Sequence, residues 1–187
     1  MGVVALVLAL AVPALADPVA LRVPAPDASM VVAPGWPSTS AAWWAGPRLG
    51  LAVDTVLPGA ALGVHAGIRT TLLGQSDHGA GLDLSASAGL VAPLRAPGMA
   101  LALTPALRGR VRGARLDAGL GLVAPALAGV AGSTRGAKLS PALEGSLGLR
   151  VADAAWVFAV GDAGASLWTG GLPTLAAQGT VGVALGL

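Results

Sequence analysis

From Arg48 onward, apolar residues alternate with small or polar ones at the period of two that defines a half-buried β-strand. The first segment sets Leu49, Leu51, Val53, Thr55 and Leu57 on one phase against Arg48, Gly50, Ala52 and Asp54 on the other. The second sets Leu62, Val64, Ala66 and Ile68 against Gly63, His65, Gly67 and Arg69, and the third sets Leu82, Leu84, Ala86, Ala88 and Leu90 against Asp83, Ser85, Ser87 and Gly89. In the fourth, Met99, Leu101, Leu103, Leu107 and Val111 oppose Thr104, Arg108, Arg110 and Arg112. The fifth opposes Leu116, Ala118, Leu120 and Leu122 to Arg115, Asp117, Gly119 and Gly121. The sixth opposes Leu139, Leu143, Leu147, Leu149 and Val151 to Lys138, Ser140, Glu144, Ser146 and Arg150. The eighth ends the pattern with Leu175, Ala177, Val181, Val183, Leu185 and Leu187 against Gln178, Thr180, Gly182 and Gly186. In the seventh, Trp156, Phe158 and Val160 share their phase with Asp162, which predicts a bulge near Gly161.

Turn residues separate these segments, from Leu57-Pro58-Gly59 and the Gly74 to Gly79 stretch to Gly113-Ala114, Asp153-Ala154 and Thr169 to Pro173. Seven turns joining eight strands predict an antiparallel meander with both termini at one end. Each strand is long enough for the roughly 9 to 11 tilted residues that cross a bilayer. Pro105, Pro125 and Pro141 fall inside predicted strands, where each removes a ladder donor, so they require bulges or positions where that donor goes unused.

Composition decides what the alternation is for. Hydrophobic residues make up 55% of the 187, and charged residues only 11%, less than half the ~25% of an ordinary soluble domain. Gly 28 and Pro 14 oppose long membrane helices, and the period of two opposes them again. In a soluble barrel or sandwich the polar phase would face water, but here it is mostly Gly, Ala and Ser, which solvate a surface poorly. Leucines facing lipid around a narrow polar lumen fit better. The net charge of +2 contains no basic run, which argues against nucleic acid as a partner. Cys 0 removes disulfides and thiolate metal sites, and no metal or cofactor is expected.

Residues 1–16 read as a signal peptide. Val3 to Val12 is an apolar core broken by Pro13, and Ala14-Leu15-Ala16 supplies the small residues of a cleavage site. No Lys or Arg precedes the core, and an uncleaved anchor is the alternative. Residues 17–42, carrying Pro18, Pro24, Pro26, Pro34 and Pro37, read as a proline-rich lead-in or linker in which Val31-Val32 could form a short strand.

Residues 43–187, by alternation, strand number, short turns and the export signal, resemble the small eight-stranded outer-membrane β-barrels of Gram-negative bacteria, the OmpA/OmpX type. The resemblance is one of architecture and implies an all-β, up-and-down transmembrane barrel in the outer membrane. Its partners would be outer-membrane lipid and the barrel-assembly machinery. Two features depart from it: the chain ends Val183-Ala184-Leu185-Gly186-Leu187 without a closing aromatic, and only Trp43, Trp44, Trp156 and Trp168 are available for aromatic girdles.

Within such a barrel, tight turns would align Asp83, Arg110, Asp117 and Arg150 in a row of alternating sign that locks register and plugs the lumen, since charges shielded from water persist only when paired. An anion site built from Arg108, Arg110 and Arg112 is the alternative. Catalysis is not expected. His65 lies on the lumen phase, and the adjacent Ser76-Asp77-His78 cannot form a triad, because neighbouring side chains diverge and no oxyanion donors accompany them. The expected function is a structural or interaction barrel with a side-chain-filled lumen. A surface adhesin or a narrow channel is the alternative, and a lipid-modifying enzyme comes after both.

Overall fold

The computed structural model describes residues 19–22, 29–36, 38–45, 48–56, 61–74, 79–93, 98–131, 134–169 and 171–186. The expected signal peptide, residues 1–16, and the Ser76-Asp77-His78 turn lie outside them. A short helix, α1 (Val19–Arg22), precedes thirteen strands among the described residues. They are β1 (Met30–Ala33), β2 (Gly35–Trp36), β3 (Ser38–Trp44), β4 (Leu49–Val56), β5 (Ala61–Gly74), β6 (Gly79–Pro93) and β7 (Met99–Arg112). There follow β8 (Leu116–Val123), β9 (Ala126–Ala131), β10 (Thr134–Leu139), β11 (Ala142–Ala152), β12 (Ala155–Trp168) and β13 (Thr174–Gly186).

Antiparallel pairing runs from β13 to β1, β3, β4, β5, β6, β7, β8, β11 and β12 and returns to β13, so the sheet closes on itself. Each strand of that ring has a hydrogen-bonded neighbour on both sides, as a closed sheet requires. The closing joint is short: Val31 and Val32 meet Gly186 and Leu185, and Gly35 and Trp36 meet Gly182 and Val181.

Proline explains why thirteen strands make fewer passes around the ring. Pro34 separates β1 from β2, Pro125 separates β8 from β9, and Pro141 separates β10 from β11, yet the register continues across each break. The proline carbonyls still accept bonds, from Val183 N (3.0 Å), Ser140 N (2.8 Å) and Ala165 N (3.1 Å), while the missing N–H returns none. Pro105 does the same inside β7, accepting from Ala124 N at 3.1 Å. No bulge is needed at these sites. Each proline costs one bond of the ladder and leaves the alignment intact. The chain therefore crosses the ring ten times among the described residues, not the eight expected.

The two extra crossings come from the segment read as a linker. Residues 30–44 form a hairpin that closes the sheet, and the expected domain boundary at residue 43 falls inside β3. Its prolines mask a valid alternation: Val31, Ala33, Ser38, Ser40, Ala42 and Trp44 are buried while Met30, Trp36 and Trp43 are exposed. The bulge expected near Gly161 is also absent. Register is continuous there, and the irregularities lie at Arg150/Ala152 and Thr71/Leu73 instead. Gly74 and Gly79 carry φ of 82° and 75°, the left-handed conformation that makes glycine the favoured residue at both ends of the β5–β6 turn.

The faces of the wall are inverted relative to a water-soluble protein. Leu51, Val64, Leu103, Leu120, Leu143 and Val181 are exposed on the outside, while Asp54, His65, Asp83, Arg110, Arg112, Asp117 and Glu144 are buried inside. This is the leucine-out phase that the alternation predicts. One part of the interior is apolar instead. Trp156, Phe158 and Val160 turn inward with Val31, Ala42, Trp44, Ala52 and Ala184, and they pack with Ala20 and Leu21 of α1. That cluster explains the seventh segment, in which apolar residues share the inner phase with Asp162.

Candidate functional site

The buried charges of the lumen are organised by β7, whose alternate residues Arg108, Arg110 and Arg112 all point inward. Each finds a different carboxylate. Arg108 donates from Nε to Glu144 Oε1 at 2.5 Å and from Nη2 to Oε2 at 3.1 Å, a two-pronged contact that also sends Nη1 to Ser85 Oγ. Arg110 Nε lies 2.5 Å from Asp83 Oδ2, whose other oxygen accepts Thr71 Oγ1 at 2.8 Å. Arg112 Nε lies 2.5 Å from Asp117 Oδ2.

The Arg108–Glu144 contact spans a whole strand. Gly121 of β8 is the partner of both Arg108 on β7 and Glu144 on β11. A Cβ at Gly121 would stand 2.6 Å from the Leu107 carbonyl and 2.8 Å from Arg108 Cγ, so a side chain there would push against both the backbone and the arginine. The glycine is what lets the two charges meet over β8.

The expected row of Asp83, Arg110, Asp117 and Arg150 forms only at its first step. Asp83 and Arg110 meet as anticipated. Asp117 pairs with Arg112 and not Arg110, because the β7–β8 turn is made by Ala114 and Arg115, one residue later than expected, with Gly113 N donating to Leu116 O at 2.7 Å and Arg112 opposite Asp117. Arg150 does not join. Its strand partner is Trp156, Asp117 faces Gly148, and the Arg150 guanidinium instead donates to the Asp153 carbonyl at 2.8 Å beside the β11–β12 turn. The alternative anion site is likewise taken up internally, since Arg108, Arg110 and Arg112 each face a carboxylate of this chain. Arg150 is about a third exposed, so Arg150→Ala should change unfolding free energy by no more than about 0.5 kcal/mol, measured by urea titration of the folded protein in detergent.

Glu144 is the residue missing from the expected row, although it sits on the right phase. Locating its partner requires knowing that β8 presents a glycine between the two charges.

A further buried pair lies between β4 and β5. His65 Nε2 stands 3.0 Å from Asp54 Oδ1, with side chains 0% and 1% accessible. Glycines make room for it: side chains at Gly63 or Gly89 would run into the imidazole. Both side chains are closed off from solvent, and the arrangement is that of a packed polar pair. Beside β10, Lys138 Nζ lies 4.9 Å from the Trp168 ring and the Ser140 and Ser166 hydroxyls stand 3.2 Å apart, while between β12 and β13 Gln178 Nε2 donates to Asp162 at 2.8 Å. Arg69 lies over the Trp44 ring at 4.8 Å. Among the described residues, no three His, Asp or Glu side chains converge as metal ligands would.

No protein-family model matches the chain, and no curated protein does. Among solved structures it is similar to the outer membrane protease OmpT from Escherichia coli, at 13% identity and a TM-score of 0.34, over 86% of this chain and 84% of that one. Agreement at that level transfers neither a site nor an activity.

Proposed function

We propose that the chain is an outer-membrane β-barrel of a Gram-negative bacterium, with a lumen filled by its own side chains and a structural or interaction role in place of catalysis. The inversion of the wall carries this reading. Leucine and valine line the outside of a closed sheet, while Asp83, Arg110, Arg112, Asp117 and Glu144 are buried within it. In water such a surface would cost ~25 cal/mol for every Å² of apolar area left exposed, whereas in hydrocarbon it is the favourable face. A closed sheet is also the only β-structure that satisfies its backbone groups inside lipid. β5, β6, β7, β12 and β13 have 14, 15, 14, 14 and 13 residues, more than the ~9–11 a tilted strand needs to cross. Lipid and the barrel-assembly machinery are the partners this implies. The filled lumen disfavours a channel that stands permanently open to solutes.

The test is gel migration of detergent-extracted protein with and without boiling, alongside circular dichroism and membrane fractionation. The unboiled protein should migrate as a separate band, give a strand-rich spectrum and fractionate with the outer membrane. One band under both conditions together with a helical spectrum would overturn the reading.

A further inference from the structure

The helix α1 lies inside the ring. Ala20 is fully buried and Leu21 only 8% exposed. Ala20 N donates to Ser40 Oγ of β3 at 2.8 Å. Leu21 occupies a notch in the wall made by Gly50 and Gly67, which are partners on β4 and β5. A Cβ on either glycine would stand 2.8 Å from a Leu21 methyl carbon. Trp44, Trp156 and Phe158 complete the surroundings of the plug.

This corner departs from the rest of the lumen. Strands β5 to β8 carry the Asp83–Arg110 and Arg112–Asp117 pairs, while β12, β13, β1, β3 and β4 carry an inward apolar surface. Those apolar side chains pack with one another and with α1. α1 is a single helical turn, too short to persist alone, held by the bond from Ala20 N to Ser40 Oγ and by the packing of Ala20 and Leu21 in this cluster.

We propose that α1 is a displaceable gate: seated, it seals the lumen with an apolar constriction that excludes water, and withdrawn, it lets small ions and polar solutes through. This rests on the barrel reading above. The paired arginines and carboxylates stay in the wall in both states, and the opening runs along the side that α1 vacates.

The full-length protein should be reconstituted in planar bilayers in potassium chloride, as wild type, Leu21→Asp and Gly67→Leu, with folding of each checked by the band shift on boiling. Leu21→Asp places a charge in the apolar corner, and Gly67→Leu fills the notch. Wild type should stay closed, and both variants should raise the mean current about tenfold or more, as expected for loss of a hydrophobic constriction. Equal currents from wild type and folded variants would overturn the gate while leaving the barrel standing. Absence of a shifted band in wild type would overturn the barrel itself. Leu21→Asp alters no wall residue, and it decides the outcome alone should Gly67→Leu fail to fold.

Discussion

Glu144→Ala should lower the unfolding free energy by about 3–5 kcal/mol, the cost of removing one partner from a buried ion pair. The Glu144 side chain is 3% accessible and that of Arg108 16%, so water cannot replace the lost carboxylate. Truncation takes away the carboxylate to which Arg108 donates from both Nε and Nη2, while its bond to Ser85 Oγ stays. The double variant Arg108→Met with Glu144→Leu removes both charges and should recover most of the loss, because a buried pair and its apolar isostere are often close in stability. Urea unfolding of vesicle-reconstituted protein, followed by tryptophan fluorescence, measures both. A loss below about 1 kcal/mol for Glu144→Ala would mean that the carboxylate is solvated and the lumen is wet.

Leu143→Arg should cost about 2–4 kcal/mol, and Leu175→Arg no more than about 1 kcal/mol, because the penalty for a charge on a lipid-facing strand falls from the bilayer midplane toward the interface. Leu143 lies midway along the pass formed by β10 and β11, is 60% exposed and points outward. Leu175 is the second residue of β13 and is 92% exposed. On a protein in water, exposed leucine to arginine at either place would stay within about 0.5 kcal/mol. The same urea titration in vesicles separates the cases. Two small, equal effects would place the leucines in water and remove the case for membrane insertion.

The faces of the wall were legible because the period of two is local: whether Leu147 points out and Glu144 points in depends only on their spacing along one strand. Pairing across strands was less legible. The step from Asp83 to Arg110 could be anticipated, but one misplaced turn moved Asp117 by two residues, from Arg110 to Arg112. Arg108 and Glu144 meet across an intervening strand, so their contact depends on two registers and a glycine at once. The hairpin at residues 30–44 was hidden by proline, whose missing donor reads as a break in any one strand but interrupts a closed ladder at a single bond. The inward turn of Trp156, Phe158 and Val160 follows from their packing with α1, a tertiary event that no strand period encodes.

The short joint between β13 and β1 also fixes how the molecule would yield to mechanical load. Met30 and Gly186 lie at the same end of neighbouring antiparallel strands, so tension applied between these two residues would strain the bonds of the joint one after another, as in opening a zipper. The longer joints, such as β6 with β7, would not bear that force until the joint had parted. The cylinder would open flat along this line before any of its charged pairs was disturbed.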